Sequence, residues 1–203
     1  MNLIGMDFSI NKPAACIRVN NKYKFISWPY GLSSVLLKTY GSSPITIVER
    51  TDDKDKGDNV SEKLRYEVEN SKYLANLILS TIRPYLSDKT VLAFEGLSYG
   101  SSGNVTLQLG GYKYILMDVL SQYVPLDNMY TYAPITIKKT AGCSKKGSKK
   151  ADMINAFLKE NTDFSHHISN NQQSFTTKGG NWVAHLDDLV DSYWVLRTLE
   201  DRL

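Results

Sequence analysis

Cysteine is nearly absent from this chain: Cys16 and Cys143 are the only two among 203 residues. Two cysteines do not suggest a disulfide framework, so an intracellular location is the expectation. Long apolar runs are lacking too. No stretch reaches the roughly 20 residues that cross a bilayer, and the first residues read as a strand rather than as a signal peptide. An excess of one charge is also missing. The formal net charge is only +3, so bulk charge hardly argues for a nucleic-acid partner. Histidine is scarce, and His166 and His167 lie in a polar stretch with no neighbouring cysteine, which argues against zinc. What remains is ordinary for a globular protein: 42% hydrophobic and 22% charged residues, with length enough for one sizeable core and one domain spanning 1–203.

Local pattern predicts the elements in order. Leu3 to Ile10, Ala14 to Val19 and Tyr23 to Trp28 are β-rich runs. Asn11-Lys12-Pro13 and Asn20-Asn21-Lys22 supply turn chemistry between them, which predicts an antiparallel meander. A short helix around Ser33 to Thr39 and a strand from Ile45 to Val48 follow. Thr51 to Asp58 is charged and reads as an exposed loop. From Ser61 the spacing of Tyr66, Tyr73, Leu74, Leu77 and Ile78 predicts a long helix that Pro84 ends. Val91 to Glu95 is an apolar strand, Gly96 to Asn104 a Gly/Ser loop, and Asn104 to Tyr123 a helix apolar around most of its circumference. Met129 to Ala133 reads as a strand, Lys138 to Lys150 as a basic loop and Lys149 to Leu158 as a helix. Asn161 to Asn181 lacks a clear period and reads as a loop or lid; Leu186 to Leu199 closes the chain as a helix. Strands first, then alternating helices and strands, predict a layered α/β domain with a mixed sheet.

Four carboxylates stand out against this frame. Asp7 interrupts the first apolar strand and Glu95 ends a later one; Asp188 and Asp191 lie three apart on the last helix, hence on one face. Acids are rarely buried unless paired or bound to metal. Converging carboxylates make a hard-oxygen site for Mg²⁺ or Mn²⁺, and two such ions clamping a phosphate would cleave a phosphodiester. Asp7 and Glu95 also suit strand ends that bond a turn, and Asp187 suits a helix N-terminus, where acids favour the macrodipole. Asp187 and Asp191 are four apart, so periodicity leaves open whether Asp187 or Asp188 completes the set.

Positive charge is concentrated in one Gly- and Ser-containing segment, at Lys138, Lys139, Lys145, Lys146, Lys149 and Lys150. Clustered lysines neutralise phosphates without reading sequence, although a solvated loop has the same composition. Tyr99, before a flexible Gly100 to Gly103 loop, is placed to stack on opened DNA or simply to pack its loop.

Five segments in order resemble the RuvC-like family of Holliday junction resolvases, in the ribonuclease H-like superfamily. Ile4-Gly5-Met6-Asp7-Phe8-Ser9 resembles its first strand and Leu92-Ala93-Phe94-Glu95 its second acidic strand. Leu107-Gln108-Leu109-Gly110-Gly111 is similar to the start of its following helix. Ala133 to Gly142, with Lys149 to Met153, is similar to its proline- and lysine-bearing segment, and Asp188-Leu189-Val190-Asp191-Ser192 to its Asp-x-x-Asp helix. The resemblance implies a ribonuclease H-like mixed sheet flanked by helices. It implies Asp7, Glu95, Asp188 and Asp191 as catalytic metal ligands, holding two Mg²⁺ per site with Mn²⁺ as a substitute. It implies Lys138 and Lys149 as DNA contacts, with Lys150 as a substitute for Lys149. It further implies a homodimer that nicks two strands of a four-way junction, leaving 5′-phosphates. The chain departs from the bacterial pattern in extra sequence around Thr51 to Asp58 and Asn161 to Asn181, which fits a viral or phage member acting in host cytoplasm. Tyr99 is displaced by one position from the family's aromatic wedge. The residues also admit other branched DNA, RNA–DNA hybrids, a non-catalytic junction-binding protein, or an actin-like ATP-binding domain, although no second Gly-rich phosphate loop is present.

Overall fold

The computed structural model describes residues 1–51, 57–97, 103–145 and 149–203. Six strands form one mixed sheet: β1 (Leu3–Asp7), β2 (Ala14–Val19), β3 (Lys22–Ser27), β4 (Ile45–Ile47), β5 (Val91–Glu95) and β6 (Met129–Tyr132), in spatial order β4-β3-β2-β1-β5-β6. The first three strands make the antiparallel meander that their turn residues predict; Asn20 and Asn21 take positive φ at the second turn. β5 and β6 run parallel to β1, as crossovers through helices require.

Alternation along β1 sorts side chains between the two faces. Ile4, Met6 and Phe8 enter one core with Leu92 and Phe94, covered by α2 (Val60–Ile82) and α3 (Gly103–Ser121). Leu3 enters the other core with Val91 and Ala93, beneath α7 (Leu186–Glu200). Period two therefore puts Gly5 and Asp7, and likewise Glu95, on the α7 face. α2 starts where its sequence dictates, with the Asn59 side chain accepting from the Glu62 amide and Glu62 bonding back.

Two segments differ from their sequence reading. Lys138 and Lys139 are not in a loop: Pro134 opens α4 (Pro134–Thr140), where its fixed φ suits a first helical turn. The segment from Asn161 is more ordered than its polarity implies. It forms α6 (Asp163–Asn170) and a 3₁₀ turn (Gln172–Phe175), because Thr162 caps the helix and Phe164, Ile168 and Phe175 are buried against the α7-side core. Phe164 meets Phe25 at 4.9 Å between ring centroids. The helix predicted from Lys149 is α5 (Lys150–Phe157), and the short helix near Ser33 is α1 (Ser34–Gly41). No helix among the described residues is long and apolar enough to cross a membrane.

Candidate active site

The adjacent parallel strands β1 and β5 are in register Leu3 to Val91 through Met6 to Phe94. Asp7 and Glu95 are the next residues of each, at the carboxyl ends of neighbouring strands, where open α/β sheets place ligands. The third acid comes from above. α7 presses onto β1 so closely that a Cβ at Gly5 would lie 2.3 Å from the Leu196 amide nitrogen and 2.5 Å from the Ser192 carbonyl oxygen. Only glycine permits this approach. It brings Asp191, next to Ser192, onto the strand ends. One carboxylate oxygen from each of Asp7, Glu95 and Asp191 lies within 4.8 Å of the others, and all three residues are partly buried.

Three acids at this spacing repel one another. Burial and the charges of Glu95, Asp191 and Asp188 push the Asp7 carboxyl well above its ordinary range, against the pull of Lys150. Burial and Glu95 raise Asp191 to about 7, again opposed by Lys150. Burial raises Glu95 as well, opposed by Lys150, Lys138 and Lys113. The protein thus concentrates negative charge that its own cations only partly neutralise. All donors are hard oxygens, which fits Mg²⁺ or Mn²⁺ and not a soft metal.

Asp187 and Asp188 are the next acids along α7, and neither belongs to that close set. Asp187 forms an ion pair with Lys150. Burial opposes its charge, but this pairing prevails and holds its carboxyl below the ordinary range. Asp188 is held through one oxygen by His185 Nδ1 at 2.9 Å, and its charge still acts on Asp7 and Asp191. His185 is fully buried, has φ 79°, and hydrogen-bonds Ser27 through its other ring nitrogen. Ser27 in turn donates to the Pro13 carbonyl at 2.9 Å. The sheet therefore holds Asp188 through a buried serine–histidine chain. A histidine at a helix start, between Ala184 and Leu186, gives no sequence sign of such a link.

Lys113 is the residue that sequence pattern misses altogether. It sits in α3 among Tyr112, Tyr114, Ile115 and Leu116, is only 5% exposed, and its ammonium donates to the Glu95 carbonyl at 2.8 Å. Burial lowers its pKa to about 8, with Glu95 resisting the shift. The Gly96 amide donates to the Tyr132 carbonyl at 2.7 Å, so the backbone at the end of β5 is held from two sides. A lone lysine in an apolar helical stretch is the only available signal.

Of the expected DNA contacts, Lys138 and Lys150 act electrostatically on Glu95 and so flank the acids. Lys139, Lys145 and Lys149 are exposed. Lys146 and Tyr99 lie outside the described residues.

Fold and site together define a class: a ribonuclease H-like α/β sheet with a carboxylate cluster at the ends of its central strands. Among solved structures the chain is similar to RuvC of Thermus thermophilus, with a TM-score of 0.53 at 12% identity, covering 98% of this chain and 92% of that one. It is also similar to T. thermophilus RuvC in complex with a Holliday junction substrate, with a TM-score of 0.51 at 12% identity and coverage of 98% and 91%. The fold is that of the RuvC-like resolvases. No protein-family model and no curated protein sequence matches the chain.

Proposed function

We propose that this chain, acting as one nuclease domain, is a metal-dependent, structure-selective DNA endonuclease that cuts four-way junctions by paired nicks leaving 5′-phosphates. The observation that carries the reading is the convergence of Asp7, Glu95 and Asp191 on a RuvC-like sheet. Two Mg²⁺ ions, or Mn²⁺ in their place, would supply an activated water and charge stabilisation of the leaving oxygen. Asp7, on the central strand, would help to hold them. Glu95 would hold one ion, and Asp188 and Asp191 the other. Asp188 suits the fourth place because His185 fixes one of its oxygens and leaves the second for a cation. Lys113 keeps the Glu95 backbone in place. Lys138, Lys139, Lys145, Lys146, Lys149 and Lys150 would hold phosphates on either side of the cut, and Tyr99 would stack at the opened junction.

Cutting a two-fold junction twice calls for two copies of the chain related by a two-fold axis. An apolar groove of about 270 Å³ between α2 and α3, lined by Leu64, Val68 and Leu107 among others, supports a homodimer through these helices. Leu107 is 76% exposed and the nearby Tyr114 68%.

Labelled four-way junction, flap, duplex and RNA–DNA hybrid, each with Mg²⁺, Mn²⁺ or EDTA, test the reading. Symmetric nicks confined to the junction are expected. Cleavage of the hybrid alone would overturn it in favour of a ribonuclease H.

A further inference from the structure

A cavity of about 650 Å³ opens at the start of α7, between the start of α5 and the segment after α6. Its volume lies within the range of small-molecule sites, roughly 300–1,000 Å³. Three features mark its chemistry. Trp182 is half-buried, packed on the core by part of its ring system while also lining the cavity. Asn155, Gln172 and Asn181 bring three side-chain amides, which both donate and accept. Lys12 and Lys150 bring positive charge, and Lys150 also pairs with Asp187 on the helix that carries Asp191. The wall carrying Trp182 is anchored. The Val183 amide donates to Phe175 at 2.9 Å and the Thr177 amide to Asn181 at 2.7 Å, which closes residues 175–183 into a small hairpin over buried Phe175.

An aromatic face, convergent amides and flanking cations are the elements that hold a nucleobase out of its stack: ring on ring, amides on the base edge, ammonium on the phosphate. We propose that this cavity accepts one unstacked nucleobase of the DNA strand being cut, next to the scissile phosphate. The proposal rests on the nuclease reading above and deepens it. Its lining includes Asp187 and His185, and His185 also bonds Asp188, so the cavity lies against the start of the helix that carries Asp191. The chain between α5 and α7 thereby acquires a role: it builds the far wall of a base receptor.

Tryptophan emission gives a readout independent of cleavage. Trp28 and Trp194 are buried, at 0% and 4% exposure, and Trp182 alone of the three tryptophans is half-exposed. Titrating the metal-free protein with short single-stranded deoxyoligonucleotides should quench emission saturably, and the Trp182→Phe protein should lose that response. In cleavage, a junction panel varied at the bases flanking the cut should show a preference. Trp182→Ala should flatten it by roughly tenfold, and Trp182→Phe should keep most of it. Unquenched emission, or a preference intact in Trp182→Ala, would overturn the proposal. Quenching specific to Trp182 in a protein that cuts no junction would support the base receptor while removing the junction reading.

Discussion

The Leu196 amide nitrogen occupies the space a side chain on Gly5 would need: a Cβ there would approach it to 2.3 Å. With the Ser192 carbonyl oxygen, 2.5 Å from that Cβ, this contact marks how closely α7 lies on β1, which brings Asp191 to Asp7. Both obstructing atoms at 2.5 Å or less belong to backbone, so nothing flexible can yield. Gly5→Ala should therefore cost about 3 kcal/mol, the upper end of overpacking costs. It should also lower metal-dependent cleavage in whatever fraction stays folded. Thermal unfolding and single-turnover cutting of the same preparation check both effects; a variant as stable and active as wild type would show that α7 is not fixed by this contact.

The crowded acids make the metal-free protein sensitive to pH. Asp191 is raised to about 7 in the fold, whereas an unfolded aspartate titrates near 4. Between those values the folded state holds a proton that the unfolded chain has released. Stability in EDTA should therefore fall as pH rises from about 4 to about 7, by a few kcal/mol at most. Asp191→Asn removes that penalty and should raise the melting temperature at pH 7.5 in EDTA. Mg²⁺ should stabilise the wild type more than the variant, by linkage. Melting curves across pH, with and without metal, check the sign.

Lys113 acts on the site through the Glu95 carbonyl. Lys113→Met keeps much of the side chain's bulk and removes the donor. Loss of such a supporting contact typically costs 10- to 100-fold in metal affinity or activity, and a decrease of about that size is expected. Mg²⁺ titrations of the cleavage rate separate weaker metal binding from slower cutting; unchanged values in both would make Lys113 a packing residue only.

Asp187 and Asp188 have different partners, which yields a discriminating pair of variants. Asp187 is committed to Lys150, and Asp188 is held by His185. Asp188→Asn should abolish cutting, and His185→Ala should lower it by about 10- to 100-fold, as for other residues that orient a ligand. Asp187→Asn should keep substantial activity and mainly weaken DNA binding through Lys150. The reverse order of effects would make Asp187 the fourth ligand.

The sites of greatest sequence legibility are those where a simple period meets a simple rule. Alternation along β1 and β5 puts Asp7 and Glu95 on one face at matching strand ends, and helix spacing puts Asp191 on the face of α7 that meets them. The antiparallel opening of the sheet follows from its turn residues. Other features depend on tertiary contacts that no local period reveals. Lys113 looks misplaced in an apolar helix until its ammonium is seen on the Glu95 carbonyl. His185 reads as a helix-start histidine, and Ser27, the residue it bonds, is 158 positions away. In the polar stretch after Asn161, Phe164 and Ile168 are one helical turn apart and Thr162 precedes them as a cap. That signal was present, but surrounding asparagines and glutamines obscured it. Spacing leaves Asp187 and Asp188 equal; what distinguishes them is their partners, Lys150 and His185, which no local period reveals.

The most direct measurement compares wild type with Asp7→Asn on one labelled four-way junction, scoring binding and nicking separately. The account predicts that both proteins bind the junction, that wild type nicks it in symmetric pairs with Mg²⁺ and not in EDTA, and that Asp7→Asn nicks it under neither condition. Equal nicking by the two proteins, or nicking undiminished in EDTA, would contradict it.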